Sequence, residues 1–384
     1  MIRRRIFDEE HTLFRDSVRR WMAEHVAPHA ERWRSEGQVD RDVWRAAGDA
    51  GYLAMFVDPA YGGLGLDDFR FDQILTEELT RIDSSFYMPL HNRIVAPYIN
   101  SLGTDAQKQR LLPGVCSGEC ILAIAMTEPG TGSDLAAIST RAEDKGDHWL
   151  LNGAKTYISN GQLADLVVVA AKTGSGDQKS VGLFLVERGF EGFERGRNLK
   201  KLGLDGQDTS ELFFNNVVVP KDNVLGAPTE GFRNMMVNLA EERLGGAVQF
   251  AARAERALEI THEFVTERKA FGQAIGAFQN TRFKMAEMRT QLDAAWALVD
   301  HCVLEHLEGA LTADLAAEAK LFTSEVEGRV VDECLQLHGG AGYMDEYEIT
   351  RHYRDARVSR IYAGTSEIMK EIIGRSMGLD DRKR

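Results

Sequence analysis

The spacing of apolar residues changes twice along this chain, and these changes restrict its fold more than any other sequence feature. From residue 8 to about residue 120, apolar residues recur every three or four positions, as in helices that bury one face. The first of these helices shows the spacing at Leu13, Phe14, Val18, Trp21, Met22 and Val26. Short β-type runs follow, and the helical spacing returns from Gly231. The pattern predicts helical, β and helical regions in that order.

The middle region carries short runs rich in β-branched and aromatic residues, which favour strands. Four strands are predicted, at residues 149–151, 166–171, 181–186 and 212–219. Turns are predicted between them, at Asn152-Gly153, at Asn160-Gly161 and at Thr173-Gly174-Ser175-Gly176. Because proline has no N–H for a strand ladder, Pro220 is expected to end the last strand.

The final region contains four long segments with helical spacing and few prolines, at residues 232–268, 277–308, 311–337 and 365–377. Four helices of this length predict a bundle. A chain of 384 residues also exceeds what one hydrophobic core usually serves. We therefore expect an α+β protein with an N-terminal helical domain at residues 1–120, a β-barrel or β-sandwich domain at 121–230 and a C-terminal four-helix bundle at 231–384.

The charge and hydropathy of the chain exclude several classes of partner. The formal net charge is -13, whereas nucleic acid binding requires clustered positive charge. No stretch of the sequence approaches the roughly 20 apolar residues that cross a bilayer. The basic residues 1–5 are followed at once by Asp8, Glu9 and Glu10, unlike a signal or transit peptide. We expect no nucleic acid partner, no membrane span and a cytoplasmic location.

Cysteine and glycine spacing argues against a metal site and against a Rossmann-type dinucleotide site. The four cysteines, Cys116, Cys120, Cys302 and Cys334, form no Cys-x-x-Cys pair or His/Cys cluster, so we interpret them as reduced packing residues. The glycine-rich run at 339–342 follows a helical segment and lacks the Gly-x-Gly-x-x-Gly spacing.

Two polar segments of the middle region allow more than one interpretation. Residues 125–134, Ala-Met-Thr-Glu-Pro-Gly-Thr-Gly-Ser-Asp, combine small residues, hydroxyls and an expected helix start at Ser133-Asp134. Such a loop presents backbone N–H groups to an electron-rich ligand, but a plain capped loop has the same composition. Residues 155–161, Lys-Thr-Tyr-Ile-Ser-Asn-Gly, equally fit an ordinary hairpin.

The order of six segments over nearly the whole chain resembles that of acyl-CoA dehydrogenases, and the long-chain members most. These segments lie at residues 126–134, 157–161, 207–212, 268–273, 336–343 and 362–368. One such match alone is weak, whereas six in the same order are highly specific. The resemblance implies the helical, β and helical architecture, a homotetramer, an FAD cofactor, an acyl-CoA substrate and an electron-transfer flavoprotein as partner.

The resemblance also implies which residues bind FAD. Flavin contacts are expected from Met126, Thr127, Gly132, Ser133, Tyr157, Ile158 and Ser159. Contacts to the pyrophosphate and adenosine of a neighbouring subunit's FAD are expected from Arg268, Phe271, Gln273, Gln279, Gln336, Gly339 and Gly340. An arginine suits a diphosphate because its planar fork donates two parallel hydrogen bonds. Thr365 and Glu367 resemble further FAD contacts at a helix start, where a plain helix cap is the alternative.

The catalytic base of many family members follows the tyrosine of a Tyr-x-Gly-Thr segment, but this chain has Ala363 there. Alanine cannot accept a proton. Long-chain and isovaleryl-type members instead carry the base on a bundle helix, before an arginine, and Glu242 matches that position in Glu241-Glu242-Arg243-Leu244. Neighbouring helical residues lie about 100° apart, so Glu241 is an alternative base that faces elsewhere. A solvated acidic helix face would explain either glutamate without catalysis.

Thioester activation in this family uses a hydrogen bond from the backbone N–H at the Tyr-x-Gly-Thr position. Ala363 keeps that N–H although it lacks a carboxylate, so an oxyanion-hole role survives the substitution. Substrate-lining positions match Ser133, Arg243, Tyr362, Ala363 and Gly364. Gly245 and Gly246, near the base, would leave room for an acyl chain or allow close helix packing.

Two other functions are compatible with this sequence. An acyl-CoA oxidase or a flavin-dependent monooxygenase would use the same scaffold with oxygen as electron acceptor, although a base at Glu242 disfavours the monooxygenase. A catalytically silent scaffold is motivated by Ala363. The presence of all the segments that match flavin-binding positions argues against such a scaffold.

Overall fold

The chain folds into a helical layer, a β-sheet and a helical bundle, which confirms the predicted α+β architecture. The computed structural model describes residues 2–174 and 180–379. The predicted turn at residues 173–176 extends beyond residue 174 and so lies partly outside the described residues. Within the described ranges, none of the helices combines the length and the apolar composition that crossing a bilayer requires. The proposed domain boundaries at residues 120 and 230 stay predictions.

The helical layer comprises six α-helices, α1 to α6, which are Glu9–His25, Ala30–Glu36, Arg41–Asp49, Phe69–Ile82, Ala96–Leu102 and Asp105–Ser117. The predicted face of α1 buries Val18 and Met22 against Trp33 and Trp44. Leu13 was assigned to this face wrongly, because its side chain is 64% exposed. A π-helical turn, Leu90–Val95, precedes α5 and places Arg93 in the interior.

Among its described residues, the middle region forms one sheet of eight strands, β1 to β8, which are Leu122–Ala125, Arg141–Asp144, His148–Ser159, Leu166–Lys172, Val181–Glu187, Phe193–Asn198, Thr209–Pro220 and Val224–Leu225. The sheet order is β6-β7-β3-β2-β4-β5-β8, and β1 pairs parallel to β4. All four predicted strands are present, and β7 ends at Pro220 as expected. Four strands were missed: β1, β2, β6 and β8. The mostly charged sequence of β2 lacks an apolar run.

Strand β4 is buried on both of its faces, which explains its continuous apolar sequence. Leu166, Val168 and Ala170 pack with residues of the helical layer such as Leu112. Alternate residues of the strand pack with Trp149, Phe184 and Phe214 inside the β-region. The sheet is thereby fixed against α5 and α6.

The predicted turn at Asn152-Gly153 is wrong, because both residues lie inside strand β3. The pairing of β3 with β7 shifts register between Leu151 and Gly153, and Gly153 has φ 151°. A Cβ at residue 153 would lie 2.4 Å from the Thr140 hydroxyl oxygen. Glycine therefore serves a bulge and a close approach of two chain segments at this position, not a hairpin turn.

The C-terminal bundle contains helices α7, α8 and α9, which are Gly231–Glu267, Gln279–Leu307 and Ala313–His338, together with α10, Glu348–Ala356, and α11, Ser366–Ser376. Helix α10 was not predicted from the sequence. A short hairpin of β9, Lys269–Ala270, and β10, Gln273–Ala274, joins α7 to α8. Helix α7 packs on α4, α8 and α9, and α11 packs on α9.

An ion pair buried between α7 and α9 lies at the centre of the bundle. The Arg253 Nη1 donates to Glu327 Oε1 at 2.6 Å, and both side chains are almost fully excluded from solvent. The Arg253 Nη2 also donates to the Ser84 hydroxyl at 3.2 Å, which links the bundle to the residues that follow α4. Removing one member of such a pair leaves an uncompensated charge in the interior.

We therefore expect Glu327→Ala to lower the free energy of unfolding by about 3–5 kcal/mol, the usual cost of breaking a buried pair. Glu36→Ala is the matched control, because Glu36 pairs with Arg32 at the surface and its loss should cost less than about 0.5 kcal/mol. Urea denaturation followed by circular dichroism measures both. Equal losses in the two variants would contradict the structural importance of the buried pair.

Candidate active site

Helix α7 carries Glu242 into the protein interior. The residue is 9% exposed, and the Tyr98 hydroxyl donates a hydrogen bond to its Oε1 at 3.2 Å. Burial raises the pKa of Glu242 to about 8, against the opposing effects of the Tyr98 hydrogen bond and the Arg243 charge. A carboxyl group that titrates in this range is suited to accept a proton from a weak carbon acid.

The neighbouring Glu241 faces a different set of side chains. Arg93 Nη1 lies 3.4 Å from Glu241 Oε1, and His306 Nε2 lies 3.8 Å from Oε2. Burial raises the pKa of Glu241 to about 7, while the Arg93 charge opposes this rise. Glu241 thus belongs to an ion-pair group with Arg93, whereas the hydrogen-bond partner of Glu242 is the uncharged Tyr98.

A loop at residues 362–364 lies against α7. The Tyr362 hydroxyl donates to Gln249 Oε1 at 3.0 Å, and Arg243 Nε approaches the carbonyl oxygen of Ala363 at 3.5 Å. Ala363 has φ 53° and Gly364 has φ 95°, so both adopt left-handed backbone. Within the described residues, the Ala363 N–H donates to no protein acceptor.

Tertiary packing therefore brings the expected substrate-lining residues 243 and 362–364 next to the α7 segment that carries Glu242. The φ of 95° at Gly364 is one that residues with a side chain rarely adopt, so glycine is favoured where the loop approaches the start of α11. Thr365 caps that helix by accepting a hydrogen bond from the Ile368 N–H. Glu367 follows in the first turn of α11 and is exposed.

The two polar segments of the middle region also lie side by side. The Thr156 N–H donates to the Thr127 carbonyl oxygen at 2.9 Å. The Lys155 ammonium donates to the Met126 carbonyl oxygen and to Glu128 Oε1, each at 2.9 Å, and both charged side chains are buried. This buried ion pair fixes the loop that begins at residue 126 on strand β3.

The expected helix start at Ser133-Asp134 is wrong. Only a single 3-10 turn, Leu135–Ala137, follows, and the Asp134 side chain caps nothing. The Glu128 carboxylate accepts hydrogen bonds from the Ser139 and Thr140 N–H groups at 2.6 and 2.9 Å, which turns the chain into β2 before a helix can form. Although burial opposes it, these bonds together with that from Lys155 lower the pKa of Glu128 to about 2.

The donors at this surface fit a flavin ring. Gly132 and Ser133 are exposed, and their N–H groups donate to no acceptor in the part of the chain that the structure describes. Tyr157 adopts φ 60° at a bulge of β3 and leaves its side chain 70% exposed, next to the half-buried Ser159. Ile158 points into the β-region core, so only its backbone is available. Free N–H groups and a hydroxyl beside an aromatic ring suit the ring carbonyls and nitrogens of a flavin.

The remaining expected FAD residues form a separate group at the other end of the bundle. Arg268, Phe271, Gln273 and Gln279 are exposed on the β9–β10 hairpin and the start of α8, and Gln336, Gly339 and Gly340 are exposed at the end of α9. The Phe264 ring stacks on the His338 ring at 4.2 Å, which joins the ends of α7 and α9. A Cβ at either glycine would meet no other atom within 4 Å, so this surface is open.

This second group is far from Glu242 within one chain. At 1.5 Å per helical residue, α7 separates Glu242 from Arg268 by roughly 40 Å. The structure therefore brings the expected site residues together as three groups: the Glu242 group, the flavin-loop group around residues 126–133 and 157–159, and the distal group that contains Arg268. The distal group does not join the other two inside one chain.

Sequence reasoning missed several residues that contact the site. Tyr98 lies in an apolar helical pattern, and nothing in that pattern indicates its hydrogen bond to Glu242. The partners Glu128 and Lys155 were noted only as members of the two polar segments, without a role. Lys320 is fully buried in α9 and donates to the Gly364 carbonyl oxygen at 2.7 Å. A lysine on the otherwise small and apolar face around Ala316, Ala317 and Ala319 was a detectable signal.

Comparison with known proteins gives matches over the whole described fold. Family models of the N-terminal, middle and C-terminal domains of acyl-CoA dehydrogenases match residues 8–119, 123–217 and 229–378. The long-chain specific acyl-CoA dehydrogenase of Mus musculus is 43% identical over 98% of this chain and 88% of its own length.

Solved structures agree with the sequence matches. An acyl-CoA dehydrogenase from Geobacillus kaustophilus is 45% identical, with a TM-score of 0.96 over 98% of this chain and all of that chain. A glutaryl-CoA dehydrogenase from Mycobacterium smegmatis in complex with FADH2 is 28% identical, with a TM-score of 0.91 over 99% of this chain and 97% of that chain. The predicted resemblance to an FAD-dependent oxidoreductase of the long-chain type is confirmed. The chain belongs to the acyl-CoA dehydrogenase family.

Proposed function

We propose that the chain oxidises an acyl-CoA thioester between its α and β carbons to the trans-2-enoyl-CoA, with Glu242 as the base. The observation that carries this proposal is the buried Glu242 carboxyl, whose neighbour Arg243 reaches the loop at Ala363. The α C–H bond breaks and its proton passes to the Glu242 carboxylate. FAD, when bound, supplies the acceptor for the hydride that leaves the β carbon.

Activation of the thioester is assigned to the backbone of Ala363. Its N–H is unpaired among the described residues and lies in a loop held by Gln249 and Arg243. A hydrogen bond from this N–H to the thioester carbonyl would stabilise the negative charge that develops on that oxygen as the α proton leaves. Ala363 thereby retains a catalytic contact although its side chain cannot act as the base.

A cavity with room for about one water molecule lies beside Gly245, one turn along α7 from the base. Phe69, Leu75 and Met88 line it together with polar side chains that include Asp72 and Arg93. A Cβ at Gly245 would meet no atom within 4 Å, whereas a Cβ at Gly246 would lie 3.3 Å from Phe250. Gly245 thus leaves space on the cavity side, and Gly246 serves helix packing. The similarity to a long-chain specific acyl-CoA dehydrogenase supports a long-chain acyl group as substrate.

The distance between the distal group and Glu242 supports a cofactor site shared by two chains. Residues 126–133 and 157–159 of one chain would hold the flavin ring, and Thr365 and Glu367 at the start of α11 would make further FAD contacts. The distal group of a neighbouring chain, which includes Arg268, would hold the pyrophosphate and adenosine. We infer a homotetramer, as the family resemblance implies, located in the cytoplasm, with an electron-transfer flavoprotein as the electron acceptor.

Substitution of the two neighbouring glutamates of α7 tests which of them is the base. In Glu242→Gln, the rate of anaerobic flavin bleaching by a panel of acyl-CoAs should fall by at least about 10²-fold, because a general base contributes that much or more. Glu241→Gln is the matched control and should keep most of the wild-type rate, since Glu241 pairs with Arg93. Loss of bleaching in the control alone would transfer the role to Glu241. Fast reoxidation of the reduced wild type by air would identify an oxidase.

The pH dependence of flavin reduction gives a second test of Glu242 as the base. Because only the ionised carboxylate accepts a proton, the rate constant for flavin reduction should rise with pH around the Glu242 pKa of about 8. The Tyr98 hydroxyl favours the ionised form, so Tyr98→Phe should raise this pKa and move the midpoint to higher pH. Stopped-flow measurements across the neutral and alkaline range give both midpoints. An unchanged or lower midpoint in Tyr98→Phe would be inconsistent with Glu242 as the titrating base.

Retention of FAD and coexpression of two variants test whether two chains share each cofactor site. Arg268→Ala should retain less FAD than wild type, while Arg20→Ala, at an exposed position of α1, should retain it normally. Coexpression of Arg268→Ala with Glu242→Gln should restore activity above that of either variant alone. Each mixed pair then contains one site with an intact base and an intact partner arginine. Activity no higher than the sum of the two variants would place each site within one chain.

A further inference from the structure

Lys320 is a buried lysine with an unusual set of contacts. Its side chain is fully excluded from solvent in α9, and burial lowers its pKa to about 8. Its ammonium donates to the Gly364 carbonyl oxygen at 2.7 Å and forms no salt bridge with any residue that the structure describes. Burying an ammonium group is costly without an ionic partner, so this contact requires an explanation.

Of the three glutamates near Lys320, two are engaged with other groups and the third, Glu367, is exposed. Glu327, two turns further along α9, accepts from Arg253 at 2.6 Å. Glu325 accepts from Arg360 at 2.9 Å and from the Ser366 hydroxyl at 3.1 Å. Lys320 is therefore committed to a backbone carbonyl, and that carbonyl belongs to the loop that follows Tyr362.

The loop is held in a conformation that its own residues do not favour. Ala363 at φ 53° is left-handed, which is rare for a residue with a side chain. Cations from two different helices hold consecutive carbonyl oxygens: Arg243 of α7 at Ala363 and Lys320 of α9 at Gly364. The Arg243 contact is long, at 3.5 Å, so the shorter Lys320 bond is the stronger restraint.

We propose that Lys320 is a positioning residue that fixes the 363–364 backbone so that the Ala363 N–H points at the thioester carbonyl. This inference rests on the proposed function, because it assigns a cause to the geometry of the thioester contact. Lys320 itself touches neither the substrate nor the cofactor in this role. Its effect on the reaction passes through the Gly364 carbonyl oxygen and the two left-handed residues.

The test compares FAD-loaded Lys320→Met, Lys320→Gln and Thr323→Val. Methionine keeps the length of the side chain and removes the donor, whereas glutamine keeps an uncharged donor. Thr323 lies one turn further along α9 and donates only within its own helix, so Thr323→Val controls for disturbance of the helix core. The probe is a long-chain trans-2-enoyl-CoA with ¹³C at the thioester carbonyl, which binds without being oxidised further.

The decisive readout is the infrared stretching frequency of the labelled carbonyl in the complex. A hydrogen bond lowers this frequency, so wild type and Thr323→Val should give the same lowered band. In Lys320→Met the band should return towards the frequency of free enoyl-CoA. In Lys320→Gln it should lie between the bands of wild type and Lys320→Met. Flavin reduction by saturating acyl-CoA should slow by about 10²-fold in Lys320→Met, as for a misplaced catalytic group.

An unchanged band in Lys320→Met overturns the proposal, even if the reduction rate falls, because Lys320 would then have a structural role only. If Lys320→Met does not fold, the band in Lys320→Gln decides by the same criterion, with a shift expected towards free enoyl-CoA. A separate result would contradict the proposed function: no bleaching of the wild-type flavin by acyl-CoA. The band still tests Lys320 in that case because it requires binding alone, and absence of binding to wild type would overturn both.

Discussion

Burial of the Glu242 carboxyl is the constraint on which the rest of this site depends. A carboxylate in water ionises far below neutral pH and is a weak base, whereas exclusion from water raises its pKa towards that of a useful proton acceptor. The packing of α7 against α4 and the π-helical turn at Leu90–Val95 provides the dry surroundings. The Tyr98 hydroxyl donates one hydrogen bond to the carboxyl within these surroundings.

The other charges near the base are held in separate contacts. Next to the base, Glu241 pairs with Arg93. The second buried pair, Arg253 with Glu327 of α9, lies three turns further along α7. Glu242 itself forms no ion pair with any residue that the structure describes, so no cation is placed directly on its carboxyl. The packing of α7 that buries Glu242 therefore also positions the charged side chains next to it. The C-terminal ends of α7 and α9 instead carry the exposed polar groups that include Arg268 and Gln336.

Sequence patterns identified the long elements well and the short or irregular ones poorly. The apolar run of β4 was recognisable because both of its faces are buried. Strand β2 was missed since hydrogen bonds to its neighbours β3 and β4 support its charged residues, and no local pattern records such partners. Asn152-Gly153 has the composition of a turn, yet Gly153 serves a close approach to Thr140. Leu13 has helical spacing but lies beyond the buried face.

The sequence by itself determined the family, the order of the three regions and, through Ala363 and Glu242, the shift of the expected base to a bundle helix. These follow from local spacing and from motifs that are contiguous in the chain. Only the tertiary structure decided which side chains contact Glu242 and the 363–364 loop, because Tyr98 and Lys320 reach them from distant segments. It also separated the group around Arg268 from the base, since one continuous helix, α7, connects the two.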